Sequence, residues 1–497
     1  MSKFSLPGIF NPWRRVPPYV ALIPVCVGVF IAADDQTVVV TILPQIMLDM
    51  EVQVWELDRA SWTITGYLLG YVAAMPLIGR ISDVWGHRRI FVLSMLVFMV
   101  GSAAAALMPT LGWLVVARVF QAVGAGALVP VSIAIVGDLF PAGRRGLPMG
   151  LIGASAEAGG VIGPLWGGII TRYLDWEWVF WINLPLGAAV LVILALVLRP
   201  SPRYKARVDY LGGGLIAVSL AALTLGLARV GDADVLMVGY LVLSVLALAL
   251  FIVRQGTAAE PLLPLSMFKG WAFRAANATH LLVGGALIIG MVTIPLMANT
   301  VLGQSPLEGG LRLMRLTAAI PVGAVLGGLA CQRMDFRVPT IAGLALAALG
   351  FMLMSRWDFA TGDPELTLHL ATAGLGFGLV IAPIALAAMN SVGAGDRGAA
   401  AGVITAMRMV GMTLGLATLT AWGMDRFQGL VAGLGSPFRQ AGETGAQFQE
   451  RSQEYWTKVT DAGFTLYNEF FLVAMGVSMA AILTAALMAW SSSRRSP

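Results

Sequence analysis

Apolar residues run through this chain in long blocks, separated at fairly regular intervals by short polar loops. A block of about 20 residues is long enough to cross the ~30 Å hydrocarbon layer of a membrane as a helix. Such blocks fall at roughly 18–43, 60–79, 90–108, 112–136, 148–172, 178–198, 210–229 and 235–253. Six more fall at roughly 273–301, 307–330, 338–356, 366–390, 399–424 and 466–490. The pattern predicts an all-α polytopic membrane protein with about fourteen transmembrane helices.

The polar breaks add orientation. Arg14 and Arg15, the loop from Arg80 to Arg89, Arg144 and Arg145, the loop 199–207, the loop 254–269, Arg333 and Arg337, Arg397, and Arg494 and Arg495 all fall on one side. Basic short loops stay cytoplasmic, which predicts both termini inside. The stretch 425–465 carries Arg426, Arg439, Arg451 and Lys458 on the other side, and long loops are translocated regardless of charge. It is either a solvated loop or an ordered extension of the last two spans.

The linker after residue 198 divides the spans into a first block of six, an inserted pair and a second block of six. The expected units are 1–200, 201–260 and 261–497. A weak repeat supports two parallel halves: Gly79-Arg80-Ile81-Ser82-Asp83-Val84-Trp85-Gly86-His87-Arg88-Arg89 follows the second span, and Gly328 to Arg337 follows its counterpart.

Composition agrees with the pattern. Of 497 residues, 58% are hydrophobic and 12% charged, where a soluble domain carries about 25% charged. The net charge of +5 resides in loops and gives no reason to expect nucleic acid as a partner. Cys26 and Cys331 are expected as free thiols. The first apolar block is too long for a cleavable signal and contains Asp34 and Asp35. His87, in the loop, reads as a basic accessory; His280 and His369 are isolated within spans and read as packing residues, with a proton relay as the alternative, and no spacing suggests a metal site. None of the four lysines follows glycine, so the chain has no phosphate-binding loop with which to hydrolyse ATP, and no cofactor is expected. An ion gradient is the expected driver, and a partner ATPase is the alternative.

The richest stretch is Gly153 to Gly168. On a helix, Ala156, Gly160, Pro164 and Gly168 form one row of small residues, and Ser155, Gly159, Gly163 and Gly167 an adjoining row. Such rows let another helix approach closely. The same face carries Glu157, within about 60° of Gly160 and 20° of Pro164. A carboxylate at mid-membrane costs on the order of 2.5–3.5 kcal/mol, so it is expected to have a task; a packing face with an incidental polar residue is the alternative. Counting along the helices puts Glu157 near the midplane and Arg408 at similar depth, which makes them natural partners. Asp35 lies in the outer half of the first span, and Arg426 marks the outer end of the penultimate one. Arg118, Arg312 and Arg315 enter from the outer side, either with a task or snorkelling to the interface.

Several stretches resemble known signatures. Gly79, Arg80, Asp83, Gly86, Arg88 and Arg89 match the gating loop between the second and third helices of the major facilitator superfamily. Arg118-Val119-Phe120-Gln121 through Gly124 and Gly126 resembles its arginine motif. Gly159, Gly160, Gly163, Pro164, Gly167 and Gly168 resemble the motif of its antiporters. Asp35-Gln36-Thr37 to Pro44 resembles the first-helix motif of its fourteen-helix drug:proton antiporter branch. Trp62 to Pro76, Glu157, Val179 to Pro185, and Arg408 through Arg426 and Phe427 look like the mycobacterial-type lipid exporters. The second-half loop keeps only fragments of the pattern.

The resemblance implies a major facilitator fold of two six-helix bundles plus an inserted hairpin, in the cytoplasmic membrane of a bacterium. It implies a monomer that exports triacylglycerol-like lipids, with a periplasmic lipoprotein as partner. The expectation is proton-coupled export in which Asp35 and Glu157 titrate and their Arg partners, Arg408 and Arg426 among them, rearrange. A multidrug:proton antiporter for amphipathic compounds is the alternative. A membrane enzyme is disfavoured, since Asp49 and Glu51 in the first outer loop have no histidine nearby.

Overall fold

A computed structural model of the chain describes residues 16–53, 56–201, 207–231, 234–434, 438–439 and 443–489. Arg14, Arg15, Arg494, Arg495 and part of the 199–209 linker, on which the expected orientation of the termini leaned, lie outside these residues.

The fold is all-helical. Six helices form the first bundle: α1 (Pro18–Asp49), α2 (Leu57–Trp85), α3 (His87–Leu107), α4 (Leu111–Leu139), α5 (Gly146–Tyr173) and α6 (Trp178–Val197). An antiparallel pair follows, α7 (Tyr210–Ala228) and α8 (Val235–Thr257). The second bundle holds α9 (Trp271–Thr300), α10 (Pro306–Ala330), α11 (Arg337–Met354), α12 (Glu365–Asn390), α13 (Arg397–Val431) and α14 (Gly445–Ala486). Among the described residues thirteen of these are long and apolar enough to cross a membrane. The fourteenth, α5, is 28 residues long and packs between α1 and α10; its glycines, Glu157 and Arg172 dilute its hydropathy.

Each bundle has its own core. Phe91, Phe98, Tyr67 and Leu128 anchor the first, and Phe351, Phe377, Phe471 and Leu370 the second. The α7–α8 pair is stitched by Ser219 and Ser244, which donate to each other's carbonyls at 3.0 and 2.9 Å. It leans on α2, and most of α8 turns apolar side chains outward.

The stretch 425–465 is mostly ordered helix. The apolar signal stops near residue 424, yet α13 continues to Val431, and α14 starts at Gly445, well before its apolar part. At ~1.5 Å per residue these helices are about 52 and 63 Å long, against a hydrocarbon layer of about 30 Å. They project together beyond the layer. Thr444 opens α14 with a capping box, accepting from the Gln447 amide while Gln447 turns back to it.

Candidate functional site

The ends carrying the basic loops meet at one end of the molecule, and there the two bundles touch. The contacts are made by glycines in two matching sets. A Cβ on Gly79 of α2 would lie 2.3 Å from the carbonyl oxygen of Gly398 on α13. A Cβ on Gly146 of α5 would lie 2.4 Å from that of Gly328 on α10. One turn further in, Gly402 meets Met75 and Gly150 meets Ala324 in the same way. Only glycine permits such backbone approach.

Charged groups lock the first set. Asp83 accepts from the main-chain amides of Gly398 and Ala399 at 2.7 and 2.9 Å, an anion on a helix N-terminus. Arg80 reaches Asp396 at 2.7 Å and the Gly395 carbonyl at 3.2 Å. Gly86 makes the α2–α3 turn with φ of 95°. His87, expected as a basic accessory, is instead fully buried: its ring nitrogens face Asp83 at 3.1 Å and Asp138 at 2.7 Å. The tight turn at Gly86 swings it inward. Arg88 and Arg89 stay outside the lock; Arg88 donates to the Ala195 carbonyl and Arg89 lies over Trp85. In the second-half loop Arg337 pairs with Asp335 beside it, and no such lock is seen among the described residues.

Among the described residues, one ion pair crosses between the bundles at mid-helix. Arg408 of α13 donates to Glu157 of α5 at 2.5 Å, with about 15% of each side chain exposed. These are the two residues that depth alone had matched. Among the described residues, every close glycine contact between the bundles lies on the basic side of this pair. Beyond it, Gly159, Gly163 and Gly167 of α5 press on Phe30, Asp34 and Val38 of α1, within the first bundle. The other row, Gly160, Pro164 and Gly168, lies half-buried to exposed and touches no second helix closely.

A second charged cluster lies inside the first bundle. Asp35 is 1% exposed and Arg118 is 0% exposed. Arg118 donates to the Asp35 carboxylate, to its carbonyl at 3.2 Å and to Gln121 at 2.7 Å. Gln121 and Asn183 donate to the other Asp35 oxygen at 2.9 and 2.8 Å. The guanidinium also stacks 4.0 Å from the Tyr67 ring centre. Arg118 therefore does not snorkel. Gln121 and Asn183 were visible inside quoted motifs, yet their role as Asp35 donors depends on how three helices are rotated against each other.

The remaining charges stand apart. Arg426 does not meet Asp35 or Glu157; it forms a two-pronged pair with Glu469 of α14 at 2.8 and 2.6 Å, 42% exposed. Arg315 binds Asp363 and Thr367 at the far end, with Arg312 about one turn away on α10. His280 and His369 make packing bonds to the Ile404 carbonyl and Trp357. No cluster of three metal-ligating side chains exists among the described residues.

At the far end, Leu296, Thr300, Leu419, Met424, Phe427, Trp456 and Phe470 line an apolar recess of about 490 Å³ where α13 and α14 leave the bundle.

Comparison with known proteins agrees with this architecture. The Major Facilitator Superfamily model matches residues 25–416. A triacylglyceride transporter of Mycolicibacterium hassiacum is 36% identical over 484 residues, covering 93% of this chain and 90% of the relative. The triacylglyceride transporter of Mycobacterium tuberculosis H37Rv is 34% identical over 468 residues, 90% of each. Among solved structures, a human organic anion transporter superposes with a TM-score of 0.62 at 17% identity, covering 93% of this chain and 99% of that one. The Escherichia coli fucose:proton symporter superposes at 0.58 with 12% identity, covering 93% and 99%. The chain belongs to the Major Facilitator Superfamily and is a multi-pass membrane transporter, not an enzyme.

Proposed function

We propose that this superfamily member exports lipids, triacylglycerol-like molecules foremost, from a bacterial cytoplasmic membrane by proton-driven alternating access. The observation that carries the mechanism is the Glu157–Arg408 pair, the mid-helix tie between the bundles. The glycine seal closes the basic end, expected to be cytoplasmic, so this conformation faces outward. A proton arriving from outside neutralises Glu157. Arg408 keeps its charge and loses its partner. The tie then no longer favours this packing of α5 against α13, and the bundles are free to rock. Return of the proton to the inside restores the pair.

The cargo reading is supported by relatives named as triacylglyceride transporters and by the apolar recess at the base of the α13–α14 projection. A periplasmic lipoprotein would collect lipid at that projection. The test is reconstitution in vesicles with a fluorescent triacylglycerol and an imposed proton gradient. Export by the native chain rises with the gradient and is lost in Glu157→Gln. Export that ignores the gradient, or persists in that variant, sinks the coupling. Transport of a cationic dye without lipid transfers the cargo reading to amphipathic drugs.

A further inference from the structure

Asp34 has no part in the two charged clusters, although it sits beside both in the middle of α1. It is 9% exposed, and its Oδ1 has no hydrogen-bond partner among the described residues. Its neighbour Asp35 takes the donors: Arg118, Gln121 and Asn183 all turn to that carboxylate. Thr37 donates to the main-chain carbonyl of Asp34 at 3.3 Å, not to its carboxyl.

Among the described residues, the helices packed on this part of α1 supply no free cation. From α4 comes Arg118, held by Asp35. From α5 comes Glu157, itself held by Arg408 of α13. From α2 come Tyr67, whose hydroxyl donates to the Ala32 carbonyl at 3.3 Å, and Tyr71. From α6 comes Asn183, already spent on Asp35.

Asp34 also stands at the foot of a polar row. Thr37, Thr41 and Gln45 lie within about 60°, 20° and 20° of it around α1. Exposure grows along that row, from buried Asp34 through half-buried Thr37 to exposed Thr41 and Gln45. The facing row on α5 is Gly160, Pro164 and Gly168, which leaves room beside it: a Cβ at Gly160 would stand 4.0 Å from Thr37. Polar side chains of increasing exposure thus lead from Asp34 toward the far end.

A buried carboxylate with neither donor nor cation among the described residues, next to a second carboxylate that takes Arg118 for itself, is an arrangement proteins avoid. A proton removes it. We propose that Asp34 is a proton-binding site separate from Asp35 and Glu157, reached from the far end along Thr37, Thr41 and Gln45. Hydronium transfers its proton to a carboxylate oxygen and leaves as water, and release reverses the step. The site's role in transport rests on the proton-coupled reading; proton binding itself does not.

Infrared difference spectra between acidic and alkaline buffer test it on the full chain in lipid nanodiscs. The native protein gives a protonated-carboxyl C=O band from a buried acid. Asp34→Asn and Asp34→Leu both lose that band, the second variant excluding interference from the new amide. Glu157→Gln keeps it. Protonated-carboxyl bands that are all unaltered in both Asp34 variants, or a native spectrum without any, overturn the assignment. Gradient-driven export by the native chain, measured alongside, separates the two ideas. Its absence overturns proton coupling and leaves the Asp34 band standing. An unaltered band in the Asp34 variants overturns this site and leaves coupling through Glu157.

Discussion

Adding one methyl group to Gly398 should pry open the basic end. The new Cβ would lie 2.2 Å from the Gly79 carbonyl oxygen and 2.4 Å from Ser82 Oγ. Non-bonded heavy atoms settle at about 3.5 Å, so α2 and α13 must part by roughly 1 Å. Overpacking of this kind costs about 1–3 kcal/mol. The same displacement stretches the bonds from Gly398 and Ala399 to Asp83, now 2.7 and 2.9 Å, and the 2.7 Å bond from Arg80 to Asp396. Hydrogen bonds to charged groups are each worth ~1.5–3 kcal/mol, and water at an opening end replaces much of that. A net bias of about 1.5–3 kcal/mol against the sealed state follows, a shift of roughly 10- to 150-fold in the conformational equilibrium. Spin labels on Arg144→Cys and Gln332→Cys, exposed positions in the two bundles, report it once Cys26 and Cys331 are replaced by serine. Pulsed electron resonance should show a longer distance population appear in Gly398→Ala. Gly328→Ala, whose Cβ meets the Gly146 carbonyl oxygen at 2.6 Å, should do the same. Gly214→Ala, with open space around it, should not. An unchanged distance distribution in folded Gly398→Ala refutes the idea that this glycine seal sets the conformation.

Asp35→Asn strands Arg118 inside the first bundle without a carboxylate, and losing one partner of a buried pair costs about 3–5 kcal/mol; a melting midpoint in detergent equal to the native one contradicts that. Arg426→Ala breaks a half-exposed pair worth ~0.2–1 kcal/mol, so stability and gradient-driven export should barely change, whereas abolished export would give Arg426 a coupling role. Asp363 is held below the usual carboxylate range by Arg315 first, then by Thr367. Its folded value is the depressed one, so its contribution is complete above about pH 4 and is lost as acid protonates the folded state. A melting series in Asp363→Asn should lack that component of the acid-side decline, and identical curves count against it.

The membrane plan was legible because insertion imposes one simple rule, apolar length. The same rule misplaced the ends of the last two helices. Outside the hydrocarbon a helix needs no apolar run, and the start of α14 is written in the Thr444–Gln447 cap instead. The intramembrane charges stood out by their cost, and depth counting was enough to match Glu157 with Arg408 because both helices start at the same end. Depth says nothing about rotation. That is why Asp35 could not be matched to Arg118, Gln121 and Asn183, nor Arg426 to Glu469, from sequence. His87 looked like one more loop cation, since its burial depends on the turn geometry at Gly86.

The glycines of α5 face different demands along its length. Near the basic end, Gly146 and Gly150 touch the backbone of α10 in the opposite bundle, and Gly153 touches Ile381 of α12. Beyond Glu157, Gly159, Gly163 and Gly167 grip α1 in the same bundle. One helix is thus fixed to its own bundle over its outer half and pressed against the other over its inner half. Glu157 sits at the change-over, bound to a residue of the opposite bundle. A rocking motion that separates the basic ends must break the inner contacts and keep the outer ones. Glycine–backbone contacts suit both jobs, because they are smooth enough to part without unlocking side chains and close enough to hold when packed. A charge proposed to bias such a motion is therefore best placed where the grip changes owner, and Glu157 stands there.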